Sequence, residues 1–243
     1  MRPVPRQDRY LIVNADDFGQ SPGVNRGVIQ AYEKGILTSA SLMVRWPAAT
    51  EAADYARRNP NLGVGLHLDF GEWAYRAGEW LPLYRVVDES DPGAVGAEIR
   101  RQLDQFEQLV GRPPTHVDSH QHAHRDPPAS TLLEEILDGR GIALRDVSVP
   151  YCGQFYGQDE KGTPHPEWIS AENLVRIASE IGPGATELGC HPAAAADLDT
   201  MYAIERLTEL ATLCDARVRH VIAEMGIELK SFAGWRSYAG ARA

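Results

Sequence analysis

Short apolar runs alternate with segments of helical periodicity along most of this chain, and this alternation limits the folds open to it. The runs have the length of buried strands, whereas the intervening segments carry apolar residues three and four positions apart. Such alternation is typical of a parallel sheet covered by helices. We predict strands over residues 10–14, 38–44, 62–68, 115–118, 142–147, 186–190 and 219–223, and helices over residues 24–34, 48–58, 94–110, 130–137, 171–181 and 204–213.

Seven or so strand-and-helix units favour an α/β fold that is a distorted (β/α) barrel of about seven strands. An open doubly wound sheet is the alternative, and periodicity alone does not separate the two. Residues 71–92 and 150–170 are expected to be long loops that carry binding. With 243 residues and no shift in composition, we expect a single domain over residues 1–243.

The charge of the chain excludes several kinds of partner. It has 24 Lys and Arg against 34 Asp and Glu, and the resulting net charge of -10 disfavours nucleic acids and anionic membranes. The first ten residues lack the apolar core of a signal peptide. No apolar stretch reaches the roughly 18 residues of a membrane span. We therefore expect a cytoplasmic protein without a membrane span, and a symmetric homodimer if it assembles.

Polar side chains able to bind a metal or transfer a proton follow four of the predicted strands. Because the carboxyl ends of parallel strands meet at one edge of a sheet, we expect these groups to converge on one site. Six of the eight histidines of the chain lie in these groups. The groups are Asn14, Asp16 and Asp17 after the first strand, His67 at the third, His116, Asp118, His120, His122 and His124 at the fourth, and His191 after the sixth.

The pair Asp16-Asp17 and the histidine-rich residues 115–124 indicate a metal site. Two ionised carboxylates are costly to bury together without a compensating cation, although a helix N-cap with a solvated neighbour is the alternative for the pair alone. The density of histidine in residues 115–124 is too high for ordinary packing, and histidine is the commonest metal ligand. Since four histidines cannot all bind one ion, some must orient the ligands. One Asp and two His with open positions would form a hydrolytic metal site, with a further His as the general acid.

Six segments match the motifs of one known family. They are IVNADDFG (12–19), GVNRGVIQAYEKGILTSASLMV (23–44), VGLHL (64–68), GRPPTHVDSHQHAH (111–124), GIALR (141–145) and ELGCHPA (187–193). On these motifs the sequence resembles the YdjC-like carbohydrate deacetylases, which include the chitooligosaccharide deacetylases, nearly from end to end. The resemblance implies a (β/α) barrel-like domain related to the polysaccharide deacetylases.

The family pattern also implies roles for individual residues. The residues that correspond to metal ligands are Asp17, His67 and His120. Asp16 corresponds to the general base and His191 to the general acid, and Arg145 is implied as the residue that holds Asp16. The other candidates are expected to support the ligands or contact the substrate: Asn14, His116, Asp118, His122 and His124. Gln121 stands where many relatives carry another histidine, so we expect no ligand role for it.

The resemblance implies a metal-dependent hydrolase that removes an N-acetyl group from an amino sugar or oligosaccharide and releases acetate. It points to Mg²⁺ as the single divalent ion, whereas one Asp and two His suit Zn²⁺, Mn²⁺ or Co²⁺ better. Two alternatives stay open: a phosphoesterase or non-sugar amidase on the same metal site, and a non-catalytic metal-binding protein. Aromatic residues in the two long segments offer surfaces for sugar stacking: Trp73, Tyr75, Trp80, Tyr84, Phe155, Tyr156 and Trp168.

Overall fold

An eight-stranded parallel sheet covered by helices carries the site. The computed structural model describes residues 8–238. The strands of the sheet are β1 (Arg9–Phe18), β2 (Ser39–Leu42), β3 (Gly63–Leu68), β6 (His116–Ser119), β7 (Ala143–Leu144), β8 (Tyr151–Cys152), β9 (Gly184–Cys190) and β10 (Ile227–Lys230), and a separate antiparallel hairpin is formed by β4 (Gly71–Arg76) and β5 (Glu79–Arg85). The α-helices are α1 (Pro22–Lys34), α2 (Ala49–Arg58), α3 (Pro92–Val110), α4 (Ala129–Leu137), α5 (Ala171–Glu180), α6 (Glu205–Leu213) and α7 (Ala216–Glu224).

The sheet curls into a half-barrel around β1. Seven strands follow the order β7-β6-β3-β2-β1-β9-β8, and β10 pairs with the first half of β1. Strand β1 is central because its apolar run is buried on both faces, as parallel strands between layers of helices require. The predicted α/β fold with a distorted barrel of about seven strands is therefore confirmed.

Helix boundaries follow the capping signals of the sequence. Ser21 begins α1 by accepting a hydrogen bond from the backbone N–H of Val24, and Asp91 caps α3 in the same way. Helix α3 ends at Gly111, whose φ of 77° lies in the left-handed region that glycine adopts without strain. All six predicted helices agree with the structure to within two residues at either end. None of the helices in residues 8–238 is long and apolar enough to cross a membrane.

The predicted strand over residues 219–223 is wrong. These residues lie in α7, where Val218 and Ile222 are four positions apart and bury one face of the helix. The last strand is β10, which comes directly after that helix. The predicted strand over residues 142–147 is also too long, since only the two residues of β7 pair with β6.

The two predicted loops contain regular structure. Residues 71–92 include the β4–β5 hairpin, whose turn at Ala77-Gly78 has φ values of 54° and 92°. Positive φ at both central residues is the conformation of a type I′ turn, which matches the twist of the strands it joins. Residues 150–170 include β8 and the 3₁₀-helix Pro166–Ile169. Both segments border the site described below.

Helix α1 packs directly on the loop after β9 at Gly27. A Cβ on Gly27 would lie 2.4 Å from the Cα of Ala193, and backbone atoms cannot turn aside as a flexible side chain would. We expect Gly27→Ala to lower the free energy of unfolding by about 1–3 kcal/mol, measured by urea denaturation. Gly182→Ala is the matched control, because its Cβ would meet nothing within 4 Å. Equal losses in the two variants would contradict this account of the contact.

Candidate active site

A cavity of about 480 Å³ opens at the carboxyl ends of β1, β3, β6 and β9. Its volume falls in the range of roughly 300–1,000 Å³ that is usual for small-molecule sites. The predicted site residues that line it are Asp16, Asp17, His67, His120, His122 and His191. The predicted residues that lie buried behind this lining are Asn14, His116, Asp118, His124 and Arg145. The structure thus brings together the four groups that follow strands in the sequence.

Asp16 and Asp17 both reach the cavity because β1 is irregular at this point. Consecutive residues of a regular strand point to opposite faces of the sheet. Here the register with β2 shifts between Ala15 and Phe18, and Asp17 has a φ of 65°. A bulge of this kind redirects a side chain, and positive φ in a non-glycine residue is strain often found at functional sites. The helix N-cap alternative for the pair is wrong, since Ser21 caps α1.

Asp17, His67 and His120 form a group that fits a divalent cation. An oxygen of Asp17, Oδ1, lies 3.3 Å from Nε2 of His67 and 3.0 Å from Nδ1 of His120. One ligand atom from each residue lies within 4.8 Å of the other two. Nδ1 of His67 is 2.8 Å from Asp118, which orients the ring and leaves Nε2 toward Asp17. One carboxylate and two imidazoles form a donor set that suits a borderline metal ion.

The charges around this group favour a cation. Burial alone would lower the pKa of His67, but Asp118 and Asp16 raise it to about 10. Burial alone would also lower the pKa of His120, but Asp17 raises it to about 9. The negative potential that holds a proton on each ring would equally attract a divalent ion.

Asp16 is held by a buried arginine. Nη1 and Nη2 of Arg145 lie 2.7 and 2.6 Å from the two oxygens of Asp16, and Nδ2 of Asn14 donates to Oδ1 at 3.0 Å. Burial would raise the pKa of Asp16, but the Arg145 charge outweighs it and the pKa is lowered. The carboxylate is therefore ionised at neutral pH and fixed in orientation. Asp16, His67 and Asp118 also lie close enough for a cation, but Arg145 already neutralises both of those carboxylates.

Arg145 contacts three carboxylates in all. Besides Asp16, it lies 2.9 Å from Asp118 through Nη2 and 2.7 Å from Glu187 through Nε. The guanidinium is fully buried. Burial raises the pKa of Glu187 to about 8, so that this partner is largely protonated at pH 7. The structure supports the expectation that Arg145 holds Asp16, and it adds Asp118 and Glu187 as partners.

His191 lines the same cavity beside Asp16. Its Nε2 lies 3.7 Å from Oδ2 of Asp16, and its backbone N–H donates to the Glu209 carboxylate. The ring stands edge-on to Tyr156 and Tyr202, each with a centroid distance of 5.4 Å. These contacts fix the imidazole with Nε2 toward Asp16 and Nδ1 toward Glu209.

The strand that carries the histidine-rich residues ends at Ser119, and the following histidines diverge. Gln121 and His122 have φ values of 50° and 59°, so the chain turns sharply between His120 and His124. His122 lines the cavity beside Tyr151, and burial lowers its pKa to about 3. It is therefore a neutral wall of the cavity at pH 7, away from the Asp17 group.

His116 and His124 support the framework behind the cavity. Nε2 of His116 lies 2.9 Å from Oγ of Ser41, and Nδ1 of His124 lies 2.9 Å from Oγ of Ser119. Burial lowers the pKa of both rings to about 4. Neither lines the cavity, so a substrate contact is not supported for either of them.

Several charged residues at the site were not predicted. Nη2 of Arg206 lies 2.6 Å from Oδ2 of Asp17, and Oε2 of Glu72 lies 3.7 Å from Nε2 of His120. Glu187 and Glu209 hold Arg145 and His191, as described above. A signal was available for Arg206 and Glu209, because both stand on the apolar face of α6 with Leu210 and Leu213. Glu72 carries no such signal, because the sequence predicts a loop over the residues that form its hairpin.

Gln121 attaches the hairpin to the histidine-rich turn. Its side-chain amide accepts a hydrogen bond from the backbone N–H of Trp73 at 2.9 Å and donates to the Trp73 carbonyl at 2.8 Å. Thr200 donates to Glu72 at 2.6 Å on the same strand. The hairpin thereby becomes a wall of the cavity beside His120, which agrees with the expectation that Gln121 is not a metal ligand.

A family model and the most similar curated relatives agree on the family of this chain. A family model described as YdjC-like protein matches residues 10–224. The chain is 33% identical to a chitooligosaccharide deacetylase of Serratia marcescens, over 93% of this chain and 98% of the relative. It is 32% identical to a carbohydrate deacetylase of Geobacillus stearothermophilus, over 92% of this chain and 97% of the relative.

Solved structures share the fold. A protein from Enterococcus faecalis, whose suggested role is cellobiose-phosphate cleavage, superposes with a TM-score of 0.73 at 25% identity, over 93% of this chain and 98% of the other. A family 4 carbohydrate esterase from Streptomyces lividans superposes with a TM-score of 0.55 at 13% identity, over 93% of both chains. The second similarity concerns the fold alone.

Proposed function

The chain belongs to the YdjC-like protein family, and from this membership we propose that it is a metal-dependent carbohydrate deacetylase. Its reaction is hydrolysis of the N-acetyl amide of an amino sugar or oligosaccharide, which releases acetate and leaves a free amine. Relatives that it matches over nearly their whole length are named as deacetylases of carbohydrates and chitooligosaccharides. One observation supports assigning this reaction to particular residues. Asp16 and His191 lie 3.7 Å apart beside the group formed by Asp17, His67 and His120.

We assign Asp17, His67 and His120 as ligands of one divalent ion. When bound there, the ion would polarise the acetamide carbonyl and lower the pKa of water, so that a weakly basic carboxylate suffices as the base. Asp16 accepts the proton of the attacking water, because it is ionised and fixed by Arg145. His191 donates a proton to the amide nitrogen as the C–N bond breaks, since an amine leaves poorly as an anion. Tyr156 and Tyr202 keep the His191 ring in place during this transfer.

The identity of the metal is part of the proposal. Two imidazoles and one carboxylate favour Zn²⁺, Co²⁺ or Mn²⁺, whereas the family resemblance points to Mg²⁺. The cytoplasmic location and the symmetric homodimer stay predictions from the sequence.

The charges of the arginines near the site are compensated by carboxylates, which disfavours the phosphoesterase alternative, although Nη1 of Arg206 has no hydrogen-bond partner there. Phosphoryl transfer usually uses a second metal ion or a clamp of Arg or Lys on the phosphate oxygens. Arg145 is surrounded by three carboxylates, and Arg206 contacts Asp17. Arg125 lines the cavity but pairs with Asp146 at 2.5 Å. A neutral N-acetyl group fits this lining better than a phosphate ester does.

Acetate release tests the proposal. The protein is treated with a chelator, and Mg²⁺, Mn²⁺, Co²⁺ or Zn²⁺ is added back before incubation with N-acetylglucosamine and N,N′-diacetylchitobiose. We expect acetate only with added metal, and none with the Asp17→Asn variant under the same conditions. Release of inorganic phosphate from sugar phosphates without any acetate release would instead favour the phosphoesterase.

Metal binding is expected to release about two protons per ion near pH 7.5. His67 and His120 have pKa values of about 10 and 9, so both rings carry a proton at this pH that the ion must displace. Affinity should accordingly rise with pH, because protons compete less as the pH approaches those values. Isothermal titration calorimetry in two buffers with different ionisation enthalpies counts the protons. A count near zero in wild type, or an unchanged count in His120→Ala, would contradict the ligand assignment.

A further inference from the structure

Glu72 is a buried carboxylate that the proposed reaction does not use. The residue lines the active-site cavity and is 5% exposed. Burying a carboxylate is costly unless hydrogen bonds or a positive charge compensate it. Among residues 8–238, the basic side chain that lies within 4.0 Å of this carboxylate is His120. The position of Glu72 therefore calls for an explanation that involves His120.

The hairpin directs Glu72 into the cavity through an irregularity of its first strand. Consecutive residues of a regular strand point to opposite faces. The register of β4 against β5 shifts between Glu72 and Trp73, and both residues line the cavity. Such an irregularity redirects a side chain, as it does in β1 at Asp16 and Asp17.

Hydrogen bonds on both sides hold the Glu72 carboxylate in place. Oγ1 of Thr200 donates to Oε1 at 2.6 Å. The side-chain amide of Gln121 makes two hydrogen bonds to the backbone of Trp73, and Gln121 directly follows His120 in the chain. The other carboxylate oxygen, Oε2, lies 3.7 Å from Nε2 of His120. The hairpin is thus attached to the segment whose imidazole its carboxylate faces.

The two ring nitrogens of His120 have different surroundings. Nδ1 lies 3.0 Å from Oδ1 of Asp17, whereas Nε2 is buried and has no hydrogen-bond partner in the described part of the chain. A ring that offers Nδ1 to an ion carries its proton on Nε2. A buried N–H without an acceptor is costly. An approach closer by roughly 0.5 Å would bring Oε2 of Glu72 within hydrogen-bond distance of this nitrogen.

His67 already has the corresponding arrangement. Its Nδ1 lies 2.8 Å from Asp118, and its Nε2 lies 3.3 Å from Asp17. A histidine that binds a metal usually donates its other ring N–H to a carboxylate or carbonyl, which fixes the ring. Each histidine of the group therefore has one nitrogen toward Asp17 and the other toward a carboxylate. That carboxylate is Asp118 for His67 and Glu72 for His120.

We propose that Glu72 is a positioning residue for His120. It accepts a hydrogen bond from Nε2–H and thereby keeps Nδ1 directed toward Asp17. This inference rests on the proposed function, because it uses the assignment of Asp17, His67 and His120 as metal ligands. It makes the β4–β5 hairpin a determinant of metal affinity as well as a wall of the cavity.

The first test is calorimetric titration of the chelator-treated protein with Zn²⁺. We expect Glu72→Ala to weaken binding about 10–100-fold. Glu72→Gln should lie between this variant and wild type, because its amide oxygen can still accept a hydrogen bond while its nitrogen donates to Thr200. Glu79→Ala is the matched control, since it removes an exposed carboxylate from the same hairpin. Urea denaturation checks that all variants are folded.

Two outcomes of this titration would overturn the inference. The first is wild-type affinity in Glu72→Ala. The second is an equal loss in Glu72→Ala and Glu72→Gln, because it would mean that Glu72 contributes its charge alone.

Nitrogen-15 NMR of the histidine rings in the zinc-loaded protein provides a second readout, which a purely structural role would not change. The Nε2–H of His120 should exchange slowly with solvent in wild type and rapidly in Glu72→Ala. The Nδ1–H of His67 is the internal reference, since Asp118 is present in both proteins. Unchanged exchange at His120, or equally faster exchange at both rings, would contradict the positioning role.

These measurements separate the role of Glu72 from the proposed function. Wild type that binds Zn²⁺ but releases no acetate would count only against the deacetylase, and weaker binding by Glu72→Ala would still support the positioning role. An active wild type whose affinity does not depend on Glu72 would count only against this inference. Failure of wild type to bind Zn²⁺ would contradict both.

Discussion

Asp16→Asn is expected to lower kcat/KM for acetate release by about 10²–10⁴. The amide cannot accept the proton of the attacking water, although it keeps the size of the carboxylate between Arg145 and Asn14. The assay is initial-rate acetate release from N,N′-diacetylchitobiose at saturating metal. His191→Gln should cause a loss of similar size, since it removes the proton donor that lies 3.7 Å from Asp16.

Two controls make this result specific. Metal affinity should fall much less in Asp16→Asn than in Asp17→Asn, because Asp16 contributes charge near the site but is not one of the three assigned ligands. Glu160→Gln removes a carboxylate that also lines the cavity but lies in an exposed loop, and it should change the rate little. A folded, metal-loaded Asp16→Asn protein with a rate close to wild type would show that another group is the base.

Arg145→Met is expected to lower the free energy of unfolding by about 3–5 kcal/mol. The substitution leaves the Asp16 and Asp118 carboxylates buried without the cation that they share, and it removes the hydrogen-bond donor of Glu187. Urea denaturation at pH 7 measures the loss. Arg101→Met is the matched control, because it breaks an exposed pair with Glu98 at 2.6 Å and should cost less than about 1 kcal/mol.

The pH dependence of this loss has a definite sign. In wild type the pKa of Asp16 and of Asp118 is lowered, so their stabilising contribution is present above an unfolded pKa of about 3.9 and is lost below it. Without Arg145, burial would raise both pKa values, and the carboxylates would destabilise the fold increasingly as the pH rises above about 3.9. The loss of unfolding free energy caused by Arg145→Met should therefore be smaller at pH 5 than at pH 7. A deficit that grows toward low pH would contradict the charge explanation.

Local patterns in the sequence were sufficient for six of the seven α-helices of residues 8–238 and for the parallel arrangement of the sheet. Gly111 acts within one helical turn, so the carboxyl end of α3 could be predicted from neighbouring letters, whereas α1 and α3 begin two residues before their predicted starts, directly after the caps Ser21 and Asp91. The predicted strand over residues 219–223 is wrong because a short apolar run does not separate strand from helix. The predicted loop over residues 71–92 contains a hairpin, although its two-residue Ala-Gly turn is a short-range feature.

The sequence identifies residues of the candidate site only where they lie in a motif or at the end of a predicted strand. Asp16, Asp17 and His67 lie at the carboxyl ends of β1 and β3, His120 and His191 follow β6 and β9 directly, and the structure brings all five into one cavity. Their roles stay predictions until variants are measured. Glu72, Arg206 and Glu209 are supplied by the hairpin and by α6, and no spacing along the chain relates them to the histidine motif.

The sequence by itself determined six of the seven α-helices and six of the eight parallel strands of residues 8–238, and the strand ends at which the reactive side chains stand, because capping, burial periodicity and strand polarity are local properties. Only the tertiary structure decided how those side chains face one another. The bulge that turns Asp16 and Asp17 into one cavity depends on pairing with β2. The shared partners of Arg145 come from β1, β6 and β9. Some histidines line the cavity, whereas others support it from behind. This difference also arises from contacts between distant segments, which the order of residues along the chain does not show.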